Sequence, residues 1–314
     1  MRERAEAMVL ASFVADTHAL GIHWIYDMDE IASRYGRVDR LLPPQHSSWH
    51  AGKPVGAQTH YGDQTLLLLR HLASHRGFEA DGFAREWRDR MESYDGYLDA
   101  ATKATLENMR AGRPALESGS DSRDLSAAGR IAPVGYLYRD ERDRLVETAR
   151  VQARITHGAP EVAEAAAFLA RVLWNVLNGK TPTSAIATVA DAEPDSGIAE
   201  LARRAMASVE RDSREVALEY GQGCTVESAL PLAIHLLSKY EGSLREALVE
   251  NAALGGDGAA RGMVVGMVLG AFHGRDAIPD EWIHDLQSYR EISVLLEDLE
   301  ATLQRSSNRA VETG

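Results

Sequence analysis

The sequence predicts an all-α protein folded as a single compact multi-helix domain, on three observations. Apolar residues recur at intervals of three and four over most of the chain. No segment alternates regularly enough to compete as a strand. A length of 314 residues, 45% hydrophobic and 26% charged, is enough to bury a large core and excludes disorder for most of the chain.

The elements follow in order. A first core helix is expected over residues 3–21. Met8 to Ala15 look like a signal-peptide core behind Arg2 and Arg4, but Glu3, Glu6 and Asp16 break that charge pattern. Amphipathic helices are expected at 65–75, 83–91 and 100–109, the first opened by the apolar run from Leu66 to Leu69. Helices at 143–156 and 160–177 are joined by a short polar segment in which Thr156 or His157 can cap the second. The same spacing gives helices at 183–190, 198–220, 226–237 and 244–253. The helix at 259–274 is apolar all round, and Gly262, Gly266 and Gly270 give it a strip without Cβ atoms where another backbone can come close. A last helix at 283–304 completes a domain of residues 1–304 and precedes a polar, disordered tail at 305–314. Two long loops, 37–61 and 110–134, are rich in Gly, Pro, Ser, His and Asp, and such loops commonly mount binding groups.

Charge narrows the partners. A net charge of −13 without a long Lys/Arg cluster argues against a nucleic-acid backbone. The apolar run 263–272 is far short of the roughly 20 residues that span a bilayer, so no membrane segment is expected. The lone Cys224 rules out an intramolecular disulfide, fits a reducing cytoplasm, and reads as a small buried residue rather than a nucleophile.

Five polar segments interrupt the helical pattern. Asp16, His23, Trp24 and Tyr26 cluster where the first helix ends; Asp16 and His23, seven apart, share a face if the helix persists. His60, Tyr61, Asp63 and Gln64 open the helix at 65–75, where an Asp serves equally as a cap. Arg130 lies in a loop suited to a sugar or phosphate, or to a plain turn. His157 stands at the joint between two helices, where a structural histidine is the simpler reading. Asn251, Asp257 and Arg261 surround the glycine turn before the apolar helix, where Asp257 and Arg261 are spaced for a helical ion pair. An isolated carboxylate at the start of a buried helix needs backbone N–H groups, the helix dipole or a cation to offset its burial.

In this succession the segments resemble the ADP-ribosylglycohydrolase superfamily, from Met8 to about Trp282. The resemblance rests on Asp16 with Leu20-Gly21, Gly62-Asp63-Gln64-Thr65, Gly129-Arg130-Ile131-Ala132-Pro133, Thr156-His157 and Gly255-Gly256-Asp257. The variants His23-Trp24-Ile25-Tyr26-Asp27 and Asn251 to Gly262 are similar to a divergent branch containing jellyfish lens crystallins and a selenoprotein. The resemblance implies an all-α domain that hydrolyses the glycosidic bond between ADP-ribose and an acceptor, commonly with two magnesium ions.

Typical members read Thr-Asp-Asp-Thr and Asp-Thr-Asp-Thr at the two helix starts. Here Gly62, Ala259 and Ala260 supply no side-chain oxygen, and Gln64 supplies only a neutral one. Asp63 and Asp257 carry over as metal ligands, leaving room for one Mg2+ ion or none and arguing against a two-metal cluster. The expected catalytic set is Asp63, Asp257 and Asp16, with Asp63 and Asp257 converging on one ion or water. His23, Trp24, His60, Tyr61, Gln64, Arg130, His157, Asn251 and Arg261 are expected to bind substrate. Trp24 and Tyr61 would stack on adenine or ribose, and Arg130 with the glycine-turn amides would meet the pyrophosphate. The expected partner is an ADP-ribosylated protein or a small ADP-ribosyl or ribosyl metabolite. A catalytically lost, crystallin-like scaffold and a magnesium-independent hydrolase of another ribosylated metabolite stand as alternatives.

Overall fold

The computed structural model describes the backbone of residues 1–312 and the side chains of residues 1–304. The tail expected at 305–314 lies outside the residues described in full. Among the described residues there is no strand, only isolated bridges of Ser120 with His157 and Asp124 with Thr225. The helices run α1 (Arg2–Leu20), α2 (Met28–Tyr35), α3 (His60–His75), α4 (Ala80–Glu92), α5 (Ala100–Arg110), α6 (Ser126–Gly129), α7 (Ala132–Leu137), α8 (Arg142–Thr156) and α9 (Pro160–Leu177). They continue with α10 (Pro182–Ala192), α11 (Gly197–Met206), α12 (Ser213–Tyr220), α13 (Val226–Lys239), α14 (Leu244–Ala253), α15 (Gly258–His273), α16 (Asp280–Asp285) and α17 (Tyr289–Glu312).

Capping explains where this order departs from the expected one. The predicted helix at 198–220 is two: α11 ends at Met206, and after a turn Asp212 starts α12 by accepting from the N–H groups of Arg214 and Glu215. The predicted helix at 283–304 is likewise interrupted, α16 ending before Leu286 adopts an extended backbone. The short α2 begins at Asp27, whose carboxylate caps Asp29 and Glu30. Helix α3 starts five residues early, at His60, because the Thr59 hydroxyl accepts from Tyr61 N–H.

At the centre, α1 and α15 form the most extensive helix pair in the molecule. Fifteen of the 19 residues of α1 and 14 of the 16 in α15 are buried, as expected for α15, which is apolar on nearly every side, and for the partner it packs against. The pair is antiparallel: Gly262 lies at Ala15, Gly266 at Ala11, and Gly270 at Ala7. A Cβ on Gly266 would come within 2.4 Å of the Ala11 carbonyl oxygen, so the glycine strip is what lets the two backbones touch. This packing fixes the C-terminal end of α1 beside the N-terminal end of α15, and the candidate site is built there.

Candidate functional site

Past Leu20 the chain leaves the helix and meets the glycine turn in front of α15. Trp24, in the left-handed region at φ 66°, donates its N–H to Gly256 O (2.9 Å), and Gly256 N–H returns a bond to Ile25 O (2.8 Å). Gly256 has φ +67°, and a Cβ there would sit 2.1 Å from Gln222 O, so both backbone shape and space require glycine. Gln222 O accepts from Asp257 N–H (2.9 Å), and its side-chain amide donates to Tyr26 O and Leu254 O.

Asn251 and Arg261 hold this turn from below. Arg261 donates to Asn251 Oδ1 (2.6 Å), Asn251 O (2.9 Å) and Gly255 O (2.8 Å), while Asn251 Nδ2 donates to Gly258 O (2.9 Å). Arg261 therefore spends its guanidinium on the turn instead of forming the i,i+4 ion pair with Asp257. The Gly255, Gly256 and Asp257 amides are consumed by Ala252 O, Ile25 O and Gln222 O, so they do not face a pyrophosphate.

Asp257 is fully buried at the N-cap of α15. Its Oδ1 accepts from Ala260 N–H (3.3 Å) and its Oδ2 from the Tyr61 hydroxyl (3.0 Å), while His23 Nδ1 lies 3.8 Å from Oδ1. Burial, aided by the charge of Asp124, raises its carboxyl to about 6 against the pull of the backbone and Tyr61 bonds. Tyr61, expected as a stacking surface for substrate, is buried and acts as a hydrogen-bond donor to this carboxylate.

The other two acids face elsewhere. Asp63 is half-buried and accepts from Lys53 Nζ (2.6 Å) and the Tyr94 hydroxyl (2.5 Å). Asp16 is fully buried, with Oδ2 on Thr59 N–H (2.7 Å) and Oδ1 on the Thr59 hydroxyl (2.5 Å). It thus fixes the residue that caps α3. Burial raises Asp16 also to about 6. Because α1 ends at Leu20, Asp16 and His23 do not share a helical face: one meets Thr59, the other Asp257.

An aromatic and imidazole chamber stands over Asp257. The Trp24 ring stacks on His23 at 4.2 Å between centroids, His50 stacks on both, and His60 packs against His50 (5.2 Å) and Tyr61 (3.9 Å). Tyr97 meets His50, His60 and Trp24 edge-on. His60 Nε2 is 3.2 Å from Asp99 Oδ2. Outside this chamber lies a cleft of about 290 Å³ lined by His23, Trp24, Tyr26, Gln45, Ser48 and Trp49. A larger cavity of about 750 Å³, lined by Arg4, His273 and Tyr289, sits at the opposite end of the α1–α15 pair.

Gln64, Arg130 and His157 form an internal network. Gln64 Oε1 accepts from Trp87 (2.8 Å) and Arg130 (3.2 Å), and Arg130 also donates to Gln152 and Thr156. The Arg130 side chain is buried and its donors are directed inward, so it is not placed to clamp a pyrophosphate. His157 bonds Thr156 (2.9 Å) and Ser126 (3.4 Å) as a satisfied structural histidine. Cys224 is partly buried, and burial beside Asp124 pushes its thiol far above the ordinary range, which disfavours a thiolate.

Sequence reading missed His50, Asp99, Lys53 and Tyr97. Two signals were available: Trp49-His50 mirrors His23-Trp24 in reverse order, and Asp99 is the N-cap of α5, accepting from Thr102 N–H.

The expected magnesium ligands do not fit that ion. Lys53 places its ammonium against Asp63 where a cation would stand, and both Asp16 oxygens are taken by Thr59. A Cβ on Gly62 would fall 2.3 Å from Asp16 Oδ2, so the missing ligand at 62 leaves no room to restore one. Among the described residues, Asp16, Asp63 and Asp257 do not form a group whose oxygens lie within 4.8 Å of one another. Magnesium needs near-octahedral oxygen ligation, which this arrangement does not offer.

Residues 1–309 match a family described as ADP-ribosylglycohydrolase. The chain is similar to crystallin J1A of Tripedalia cystophora, 24% identical over 97% of this chain and 98% of the relative. It is also similar to ADP-ribosylhydrolase ARH3 of Homo sapiens, 24% identical over 90% and 88%. A solved structure titled ADP-ribosylglycohydrolase-related protein complex shares the fold, with a TM-score of 0.76, 24% identity, and 96% and 98% of the two chains covered. No described helix is long and apolar enough to cross a membrane.

Proposed function

The chain belongs to the ADP-ribosylglycohydrolase family, and from that premise we propose that it hydrolyses an ADP-ribosyl glycosidic bond using Asp257 as the group that receives the proton of the attacking water. The observation that carries this is the fully buried Asp257 carboxylate, held by Tyr61 and the first turn of α15 beneath a cluster of aromatic and imidazole rings. Cleavage of such a bond passes through an oxocarbenium-like state, which a nearby carboxylate stabilises while it takes up the water proton. The α15 N-terminus favours the charged carboxylate between turnovers.

Substrate reaches this carboxylate from the cleft beside Trp24, Tyr26 and Trp49; Tyr26 and Trp49 are 52% and 69% exposed and offer faces to a purine ring. Asp257 is fully buried, so the cleft must open inward for the anomeric carbon to approach it. Asp63 keeps its ion pair with Lys53 and serves the fold of this edge. The substrate is an ADP-ribosylated protein or a small ADP-ribosyl metabolite, and the single cysteine fits a cytoplasmic setting.

The experiment is release of ADP-ribose from guanidino-, hydroxyl- and ester-linked conjugates by purified protein, with magnesium and with chelator. Turnover of at least one linkage that does not require added magnesium supports the reading. No turnover of any linkage, with retained ADP-ribose binding, supports a second one: a non-catalytic scaffold, favoured by the near full-length likeness to crystallin J1A and by the inward use of Arg130 and Gln64.

A further inference from the structure

Three segments far apart in the chain each deliver one imidazole to the chamber: His23 follows α1, His50 comes from the loop before α3, and His60 opens α3. One ring nitrogen of each lies within 4.8 Å of those of the other two. The residues are only 4%, 2% and 1% exposed. Both ring nitrogens of His23, both of His50 and Nδ1 of His60 have no hydrogen-bond partner. Buried polar atoms are nearly always bonded, so five unpaired nitrogens in one chamber mark a missing partner. Stacking on Trp24 and Tyr97 engages the ring faces and leaves the nitrogens unaccounted for.

We propose that His23, His50 and His60 bind one transition-metal ion of the zinc class, beside Asp257. The sixth nitrogen supports it: His60 Nε2 meets Asp99 Oδ2 at 3.2 Å, and Asp99 Oδ1 is itself fixed by Thr102 N–H at 2.6 Å. A carboxylate on the far nitrogen sets the tautomer, leaving the Nδ1 lone pair for an ion. Two buried carboxylates, Asp257 and Asp99, supply the compensating negative charge.

Three imidazoles select zinc, cobalt or nickel over magnesium, which prefers oxygen. This gives the chamber a different ion from the one the Asp63 and Asp257 positions were expected to hold. By contrast, the trio His71, His75 and Glu86 is already paired: His71 Nδ1 bonds Glu86 and His71 Nε2 accepts from Glu79 N–H.

The test is metal binding by the full chain stripped with chelator, read by equilibrium dialysis and by the visible d–d absorption of bound Co2+. The expected result is one Co2+ per chain, displaced by one equivalent of Zn2+ and not by a roughly hundredfold excess of Mg2+. His50→Ala and His60→Ala should each weaken binding at least about 100-fold, and Asp99→Asn about 10-fold, while His75→Ala leaves it unchanged. His50 lies outside the helices, and far-UV circular dichroism of His50→Ala and His50→Gln verifies that folding is retained. Absence of stoichiometric binding, wild-type affinity in the folded His50 variants, or loss of binding on His75→Ala would overturn the site. Binding is read without turnover, so failure here leaves the hydrolytic reading standing, and failure of hydrolysis leaves this site standing.

Discussion

The Tyr61 hydroxyl donates to Asp257 Oδ2 across 3.0 Å and thereby joins the first turn of α3 to the N-cap of α15. Both groups are buried, so the bond orients the carboxylate in a medium where an unmade partner is costly. Tyr61→Phe keeps the ring against His60 and removes only this donor. Steady-state release of ADP-ribose should show kcat lowered about 10-fold with KM nearly unchanged, because the bond positions the base and does not touch substrate. An unchanged kcat would remove Tyr61 from the mechanism.

Asp257→Asn and Asp63→Asn separate chemistry from scaffold. The first removes the proton acceptor and should lower kcat by about 10²–10⁴. It should hold or raise the melting temperature, since burial disfavours the Asp257 charge. The second breaks a partly exposed ion pair with Lys53 and should cost less than about 1 kcal/mol, with kcat altered by less than about threefold. Equal loss of activity in the two variants would restore the convergent pair that the sequence suggested.

What the sequence made legible divides along physical lines. The all-α fold, the glycine strip of α15 and the turn before Asp257 are local or periodic, and period and glycine spacing disclose them. The partner of Asp257 is not. Tyr61 and Asp63 are two apart on α3 and point to nearly opposite sides, so the rotation of the helix decides which one faces the turn. That rotation is set by Gly62 seating on Asp16, a contact 46 residues away in the chain. Arg130 looked free for an anion because its partners, Gln64, Gln152 and Thr156, sit on other helices. His50 lies in a loop without period, so only the fold brings it to His23 and His60.

The glycine strip can be tested without any activity. Gly266→Ala would place a Cβ 2.4 Å from Ala11 O and 2.8 Å from Ala15 Cβ, inside a helix pair with no slack. Denaturant unfolding should show a loss of about 3 kcal/mol or more. Gly197→Ala, in open space at the start of α11, should be neutral or stabilise by up to about 1 kcal/mol. Comparable midpoints for the two variants would contradict the close approach of α1 and α15.

Stability should fall on acidification, and the sign follows from buried groups of two kinds. Burial lowers His18, His157 and His235 to about 4, below their ordinary value of 6.5. His235 is neutral between the Ser208 and Ser213 hydroxyls, and His18 packs on Trp282. For each, the unfolded chain takes up a proton first as pH drops below 6.5, so stability is lost from 6.5 down to about 4. Asp16 and Asp257 work the other way: raised from 3.8 to about 6, each binds its proton earlier in the folded state and regains stability as pH falls through 6. Three histidines outweigh two carboxylates, and each group contributes at most about 3 kcal/mol over the window. The melting temperature should therefore drop by roughly 5 °C between pH 7 and pH 4.5. In Asp16→Asn the drop should be steeper, because its opposing proton uptake is gone; a shallower drop in that variant would mean that Asp16 is ionised in the folded protein throughout the range.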